Sequence, residues 1–309
     1  MNIYLKYKPA GVQLAFFLSL SFAFLLISSY VTTLFFPEVG QVLLDKKAVI
    51  TPELLGRFKW AQFINSILAF VMPALLFGYF SSERPARYVG LNPRVSLAIA
   101  AAAVLLLFAV QPFAGWLGEL NSKVHFGSMQ KELQEVEASY NRTMGAFLTM
   151  KSPADLAINI CIMALVPAIG EELFFRGALQ GILGRLIKIP WVAVLLSSLV
   201  FALLHGTFFK FLPIFTLGLM LGSVYQVTRN LWYTIIIHFF NNTLAVLAVY
   251  YGDKNRTLKQ FANDQLSMPI YAVIVSLVLT LAIIYVIKRK SDTVLPVAEV
   301  EEDNYLPNE

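Results

Sequence analysis

Charge is what this chain has least of. Only 14% of its 309 residues are Asp, Glu, Lys or Arg, whereas soluble domains carry about 25%. With 58% hydrophobic residues and a mean hydropathy of +0.67, a soluble globular protein is excluded and an integral membrane protein remains. The formal net charge of +5 is small and dispersed, which removes nucleic acid from the expected partners. Cysteine is almost absent: Cys161 stands alone in an apolar run, so no intrachain disulfide can form. Histidine occurs three times and never as HExxH, the helical zinc-protease signature. No internal repeat is evident either, although transporters are often built on one.

Long apolar runs are what the chain does have. A bilayer-spanning helix needs about 20 predominantly apolar residues. Such runs fall at 12–36, 58–80, 95–117, 154–170, 190–208, 210–228, 231–251 and 269–287. The expected fold is an all-α integral membrane protein of about eight transmembrane helices with a polar intramembrane cavity. The first run outlasts a signal-peptide core and lacks a small-x-small cleavage site, so it reads as a retained helix. The fourth is short and holds Pro167, which predicts a helix that breaks near Gly170. Gly177, Gly181 and Gly184 then predict a short amphipathic segment rather than a strong helix. Gly218 and Gly222, four apart in the sixth run, predict close helix approach.

Residues 1–153 therefore hold N-terminal membrane helices and an amphipathic insertion, 154–251 the expected core, and 252–290 the last membrane helix. Within the insertion, Met129, Leu133 and Val136 are spaced four and three apart, which predicts one face of a short helix. The stretch 291–309 is acidic, contains Pro296 and Pro307, and reads as a disordered tail. The predicted location is a multi-pass membrane protein, in the plasma (inner) membrane if bacterial. Arg84, Arg87 and Arg94 in one short loop, and Lys288-Arg289-Lys290 after the last run, favour a cytoplasmic N-terminus.

Charges inside these runs are the informative residues, because one at the bilayer centre costs about 2.5–3.5 kcal/mol on insertion scales. Glu171, Glu172 and Arg176 follow the apolar stretch 157–169. Glu172 and Arg176, four apart on a helix, share a face and predict an ion pair. Glu171 has no such partner and needs a task. Downstream, His205 ends one apolar run, and His238 and Asn242 lie four apart inside another. A glutamate in a partly apolar site can take a proton from water, and two donors on one helical face can aim at a single oxyanion. Two histidines and a glutamate can equally hold zinc. His125, in the polar insertion, carries no such signal; Asn241 reads as helix glue, and Phe175 and Phe201 as packing residues.

The motifs EExxxR, FxxxH and HxxxN, in this order on successive membrane segments, resemble the CPBP intramembrane proteases. That family includes Rce-type CAAX prenyl endopeptidases and bacterial Abi proteins. The resemblance covers roughly Asp155 to Tyr250, with all three motifs intact. It implies an intramembrane endopeptidase acting on a peptide or protein substrate that can itself be membrane-associated. Glu171 and His205 would then act on the water, His238 and Asn242 on the oxyanion, with Glu172 and Arg176 in support. No cofactor is favoured; zinc, if bound, would take Glu171, His205 and His238. Two other classes keep the same residues: a transporter with a Glu/His/Arg proton relay, and a non-proteolytic membrane scaffold.

Overall fold

The computed structural model describes residues 4–44, 51–252 and 268–294, and among these there is no strand. In chain order the helices are α1 (Ala10–Phe35), α2 (Pro37–Leu44), α3 (Glu53–Ser81), α4 (Pro85–Tyr88), α5 (Leu97–Ser122) and α6 (Gln130–Phe147). There follow α7 (Pro153–Ile187), α8 (Pro190–Leu204), α9 (Phe211–Thr228), α10 (Leu231–Gly252) and α11 (Ile270–Val294). Seven of these are long and apolar enough to cross a membrane: α1, α3, α5, α7, α9, α10 and α11. The chain is a multi-pass integral membrane protein.

The fifth expected span, α8, has 15 residues. At ~1.5 Å per residue it reaches about 22 Å, short of the ~30 Å hydrocarbon core. Large apolar side chains face outward, as at Phe22 (62% exposed) and Leu281 (60%), while Glu172 and Arg176 are fully buried. That distribution suits lipid outside and polar groups inside.

One face of the bundle is tied by hydrogen bonds among the N-terminal segment, the ends of α3 and α7, and the loops before α5 and after α9. Leu5 N–H donates to Phe80 O (2.9 Å), Arg185 to the Gln13 side chain (2.9 Å), and the Asn230 amide to Arg94 O (2.9 Å). Helix α11 runs antiparallel to α5, with Phe113 N–H on Ser276 Oγ (3.1 Å), and ends on this same face. It continues to Val294, four residues into the stretch read as tail; 295–309 lie outside the described residues.

Helix α7 corrects the sequence expectation most. Instead of breaking near Gly170, it runs on to Ile187. Ser152 caps its start in a capping box with Asp155, and Pro153 sits at the first helical position, where no N–H is needed. Pro167 is absorbed by a wide π turn at Ile160–Leu165, and Pro73 in α3 by another at Ile67–Val71. Such turns accommodate the missing N–H and the ring without ending the helix. A third π stretch, Leu173–Gln180, directly follows the two glutamates.

The glycines of this segment likewise serve packing and not a helix end. A Cβ on Gly177 would lie 2.6 Å from Val89 O and 3.2 Å from Leu231 Cδ1, so α7 passes the 85–90 segment at backbone contact. Gly177→Ala is expected to destabilise the protein by about 1–3 kcal/mol through overpacking. Gly145→Ala, where a Cβ meets nothing within 4 Å, is the control, and detergent unfolding midpoints of the two variants make the comparison.

The insertion forms a longer helix than predicted, α6, and its face is only partly the expected one. Leu133 is buried, whereas Met129 and Val136 are exposed. The burial comes instead from the C-terminal end, where Phe147 meets Phe58 edge-on (centroids 5.9 Å) and Asn159 on α7 donates to Phe147 O (2.8 Å).

Candidate active site

Glu171 lies well inside α7, and the chain then doubles back to bring His205 to a similar depth. The rise from Glu171 to Ile187 is about 24 Å and the return along α8 to His205 about 22 Å, at ~1.5 Å per residue. A left-handed Lys188 (φ 60°) makes the turn between them. Two residues at the far ends of consecutive full spans would instead lie at opposite surfaces.

Four ionisable groups form a chain across α7 and α10. Arg176 Nη1 lies 3.1 Å from Glu172 Oε1, the predicted i, i+4 pair, and both side chains are fully shielded. His238 Nδ1 lies 3.0 Å from that same Oε1. A carboxylate only accepts, so Nδ1 carries the proton, and its other nitrogen, Nε2, points to Glu171 Oε2 at 3.9 Å. Glu172 thus has a second partner that its spacing to Arg176 did not announce. Glu171 is the more open of the two carboxylates, its side chain 16% exposed. Its Oε2 is nonetheless buried and has no hydrogen-bond partner.

Arg176 is held from below by backbone and from the side by a ring. Its Nη2 donates to Gly218 O (3.1 Å), and Gln180, one turn on, donates to Gly222 O (3.1 Å). The matching spacing of Arg176/Gln180 and Gly218/Gly222 is what the close approach of α9 serves. A Cβ on Gly218 would press on Ser198 Cβ at 3.1 Å. The guanidinium carbon lies 4.5 Å from the Phe201 ring centroid, within cation–π range.

Phe201 explains the FxxxH spacing. Its carbonyl accepts from His205 Nδ1 (2.7 Å) and its ring packs on the same imidazole (centroids 4.5 Å). A carbonyl cannot donate, so the neutral ring keeps its lone pair on Nε2. The other edge of Phe201 faces His238 (6.0 Å). Phe201 is a packing residue, as expected, but what it packs is Arg176, His205 and His238 together.

Asn242 sits one turn beyond His238 on α10. Its Oδ1 accepts from Asn241 Nδ2 (3.3 Å), and Asn241 Oδ1 accepts from Gln111 Nε2 on α5 (3.3 Å). Asn241 is the glue it was read to be. Gln111 was missed; its signal is a lone amide interrupting an apolar run, just before Pro112. His125 is exposed in the insertion. Among the described residues no three His, Cys, Asp or Glu side chains are grouped to hold a metal ion.

These features define a multi-pass helical membrane protein with a buried carboxylate–imidazole centre. Residues 153–244 match the family described as type II CAAX prenyl endopeptidase Rce1-like. The chain is also 34% identical over 98 residues to the membrane-embedded CAAX protease MroQ of Staphylococcus aureus (strain USA300). That alignment covers 30% of this chain and 39% of the relative. No solved structure matches the chain. The resemblance to the CPBP, Rce-type family is borne out over this segment, which carries all three motifs and every candidate site residue.

Proposed function

We propose that this protein is an intramembrane endopeptidase in which Glu171 activates water directly. The observation that carries the reading is the buried, unpartnered Oε2 of Glu171, 3.9 Å from His238 Nε2. A separation of that size suits a water held between two polar groups. Glu171 takes a proton from the water as its oxygen attacks the scissile carbonyl carbon. The oxyanion is received by Asn242 Nδ2 and by His238 Nε2, which donates when the ring carries both protons. Glu172 orients that ring and Arg176 holds Glu172. The C–N bond then breaks, and the proton on Glu171 passes to the leaving amine. His205 Nε2, with Nδ1 occupied by Phe201 O, is a second acceptor for the water.

The similarity to a CAAX protease and the intact motifs support this class over a transporter or scaffold. Purified protein should cleave members of a labelled peptide library, prenylated and unmodified. Activity is expected to survive exhaustive chelation within about twofold, because no step above runs through a metal. Elemental analysis of the chelated, active protein checks this. Inactivation by chelator that zinc reverses would replace direct glutamate catalysis with a metal centre. A library left uncleaved, together with substrate-dependent ion flux in liposomes, would favour the transporter.

A further inference from the structure

The loop that follows His205 is held from outside the segment that matches the family. His205 follows the last residue of α8, and Gly206 after it has φ +67°, so the helix stops there. Residues 205–210 form no regular element and lead directly into α9. Three residues outside the matched segment, Asn121, Phe126 and Glu137, hold this stretch and the start of α9. Glu137 Oε2 on α6 accepts from Thr207 Oγ1 at 2.7 Å, and Thr207 is buried. Asn121 at the end of α5 donates to Phe208 O (2.8 Å) and accepts from Leu212 N–H (2.7 Å). The Phe126 ring meets Phe208 and Phe209 edge-on, at 6.4 and 5.5 Å.

We propose that Glu137 and Asn121 are positioning residues for His205, and that α5 and the α6 insertion thereby complete the active centre. The inference rests on the peptidase reading for its kinetic consequence, though not for its geometry. An imidazole at a helix end with a glycine behind it has freedom to swing. The Thr207 hydroxyl, two residues away, is clamped by a charge-assisted bond of the short, strong kind. Asn121 bridges across the loop with both ends of its amide, fixing where α9 begins. With the loop fixed, Nδ1 stays on Phe201 O and Nε2 stays aimed. Misplacing a reacting group by about 1 Å can cost 10²-fold in rate.

The test pairs kinetics with a readout that needs no turnover. Glu137→Ala and Thr207→Val should each lower kcat about tenfold or more, with KM changed less than about twofold. The double variant should be no slower than either single one, because both remove the same bond. Glu137→Gln and Thr207→Ser keep an acceptor and a hydroxyl, and should retain most of the activity. Nitrogen-15 histidine spectra, with His205 assigned by difference against His205→Gln, should show one Nδ1–H tautomer in the wild type and a mixture in Glu137→Ala. Asn121→Asp, which keeps the acceptor for Leu212 and loses the donor to Phe208, gives a second variant should Glu137→Ala fold poorly. An unchanged His205 tautomer in folded Glu137→Ala, or an unchanged kcat in an active enzyme, overturns the proposal. A wild type with no peptidase activity whose His205 still loses its tautomer in Glu137→Ala takes down the peptidase reading and leaves the clamp standing.

Discussion

Glu171→Gln is expected to reduce turnover by about 10²–10⁴-fold, the contribution typical of a positioned general base, while leaving the fold intact. The substitution keeps the shape of the side chain and removes its capacity to take a proton. Oε2 makes no hydrogen bond, and His238 Nε2 stands 3.9 Å from it. The unfolding midpoint should therefore stay close to wild type, within the roughly 0.5 kcal/mol usual for substitutions that break no buried contact. Measuring kcat on the best peptide from the library, alongside thermal unfolding in the same detergent, separates the two effects. Activity within tenfold of wild type would take the base role away from Glu171. A large loss of stability would show that the carboxylate is structural, like its neighbour.

The sequence made the membrane class legible because spanning helices need long apolar runs, and such runs are hard to mistake. Each predicted run coincides with a helix, and the ion pair of Glu172 with Arg176 follows from i, i+4 geometry alone. The continuity of α7 was not legible. Proline and glycine break helices in water, but inside a bundle a π turn absorbs Pro167, and Gly177 is placed by its contact with Val89. Propensity lost to tertiary packing there. The contact of His238 with Glu172 was not legible either, since it depends on the relative depth of α7 and α10. For the same reason nothing local announced that Glu137, in a polar stretch about 70 residues upstream, reaches Thr207. The apolar face predicted for the insertion failed at Met129 and Val136 because the partner surface lies at the other end of α6, around Phe58 and Phe147.

Glu172→Gln is expected to damage stability and activity together, unlike Glu171→Gln. Arg176 is fully buried and keeps its charge, so neutralising Glu172 leaves it without the carboxylate it is paired with. Breaking a buried pair from one side costs about 3–5 kcal/mol. The same oxygen also receives His238 Nδ1 at 3.0 Å, so the ring loses its charged anchor and turnover should fall as well. A second variant separates the two consequences. Glu172→Leu combined with Arg176→Met removes both charges, and replacing a buried pair by apolar groups of similar size is often neutral or stabilising. Recovery should stop short of wild type by about 1–3 kcal/mol, because Gly218 O loses the Arg176 donor. Activity should not recover at all, since His238 Nδ1 then faces a methyl group. Unfolding titrations and kcat for the single and double variants decide it. A double variant as unstable as Glu172→Gln would show that the buried charge is not the source of the loss, and one with restored turnover would show that His238 needs no anchor.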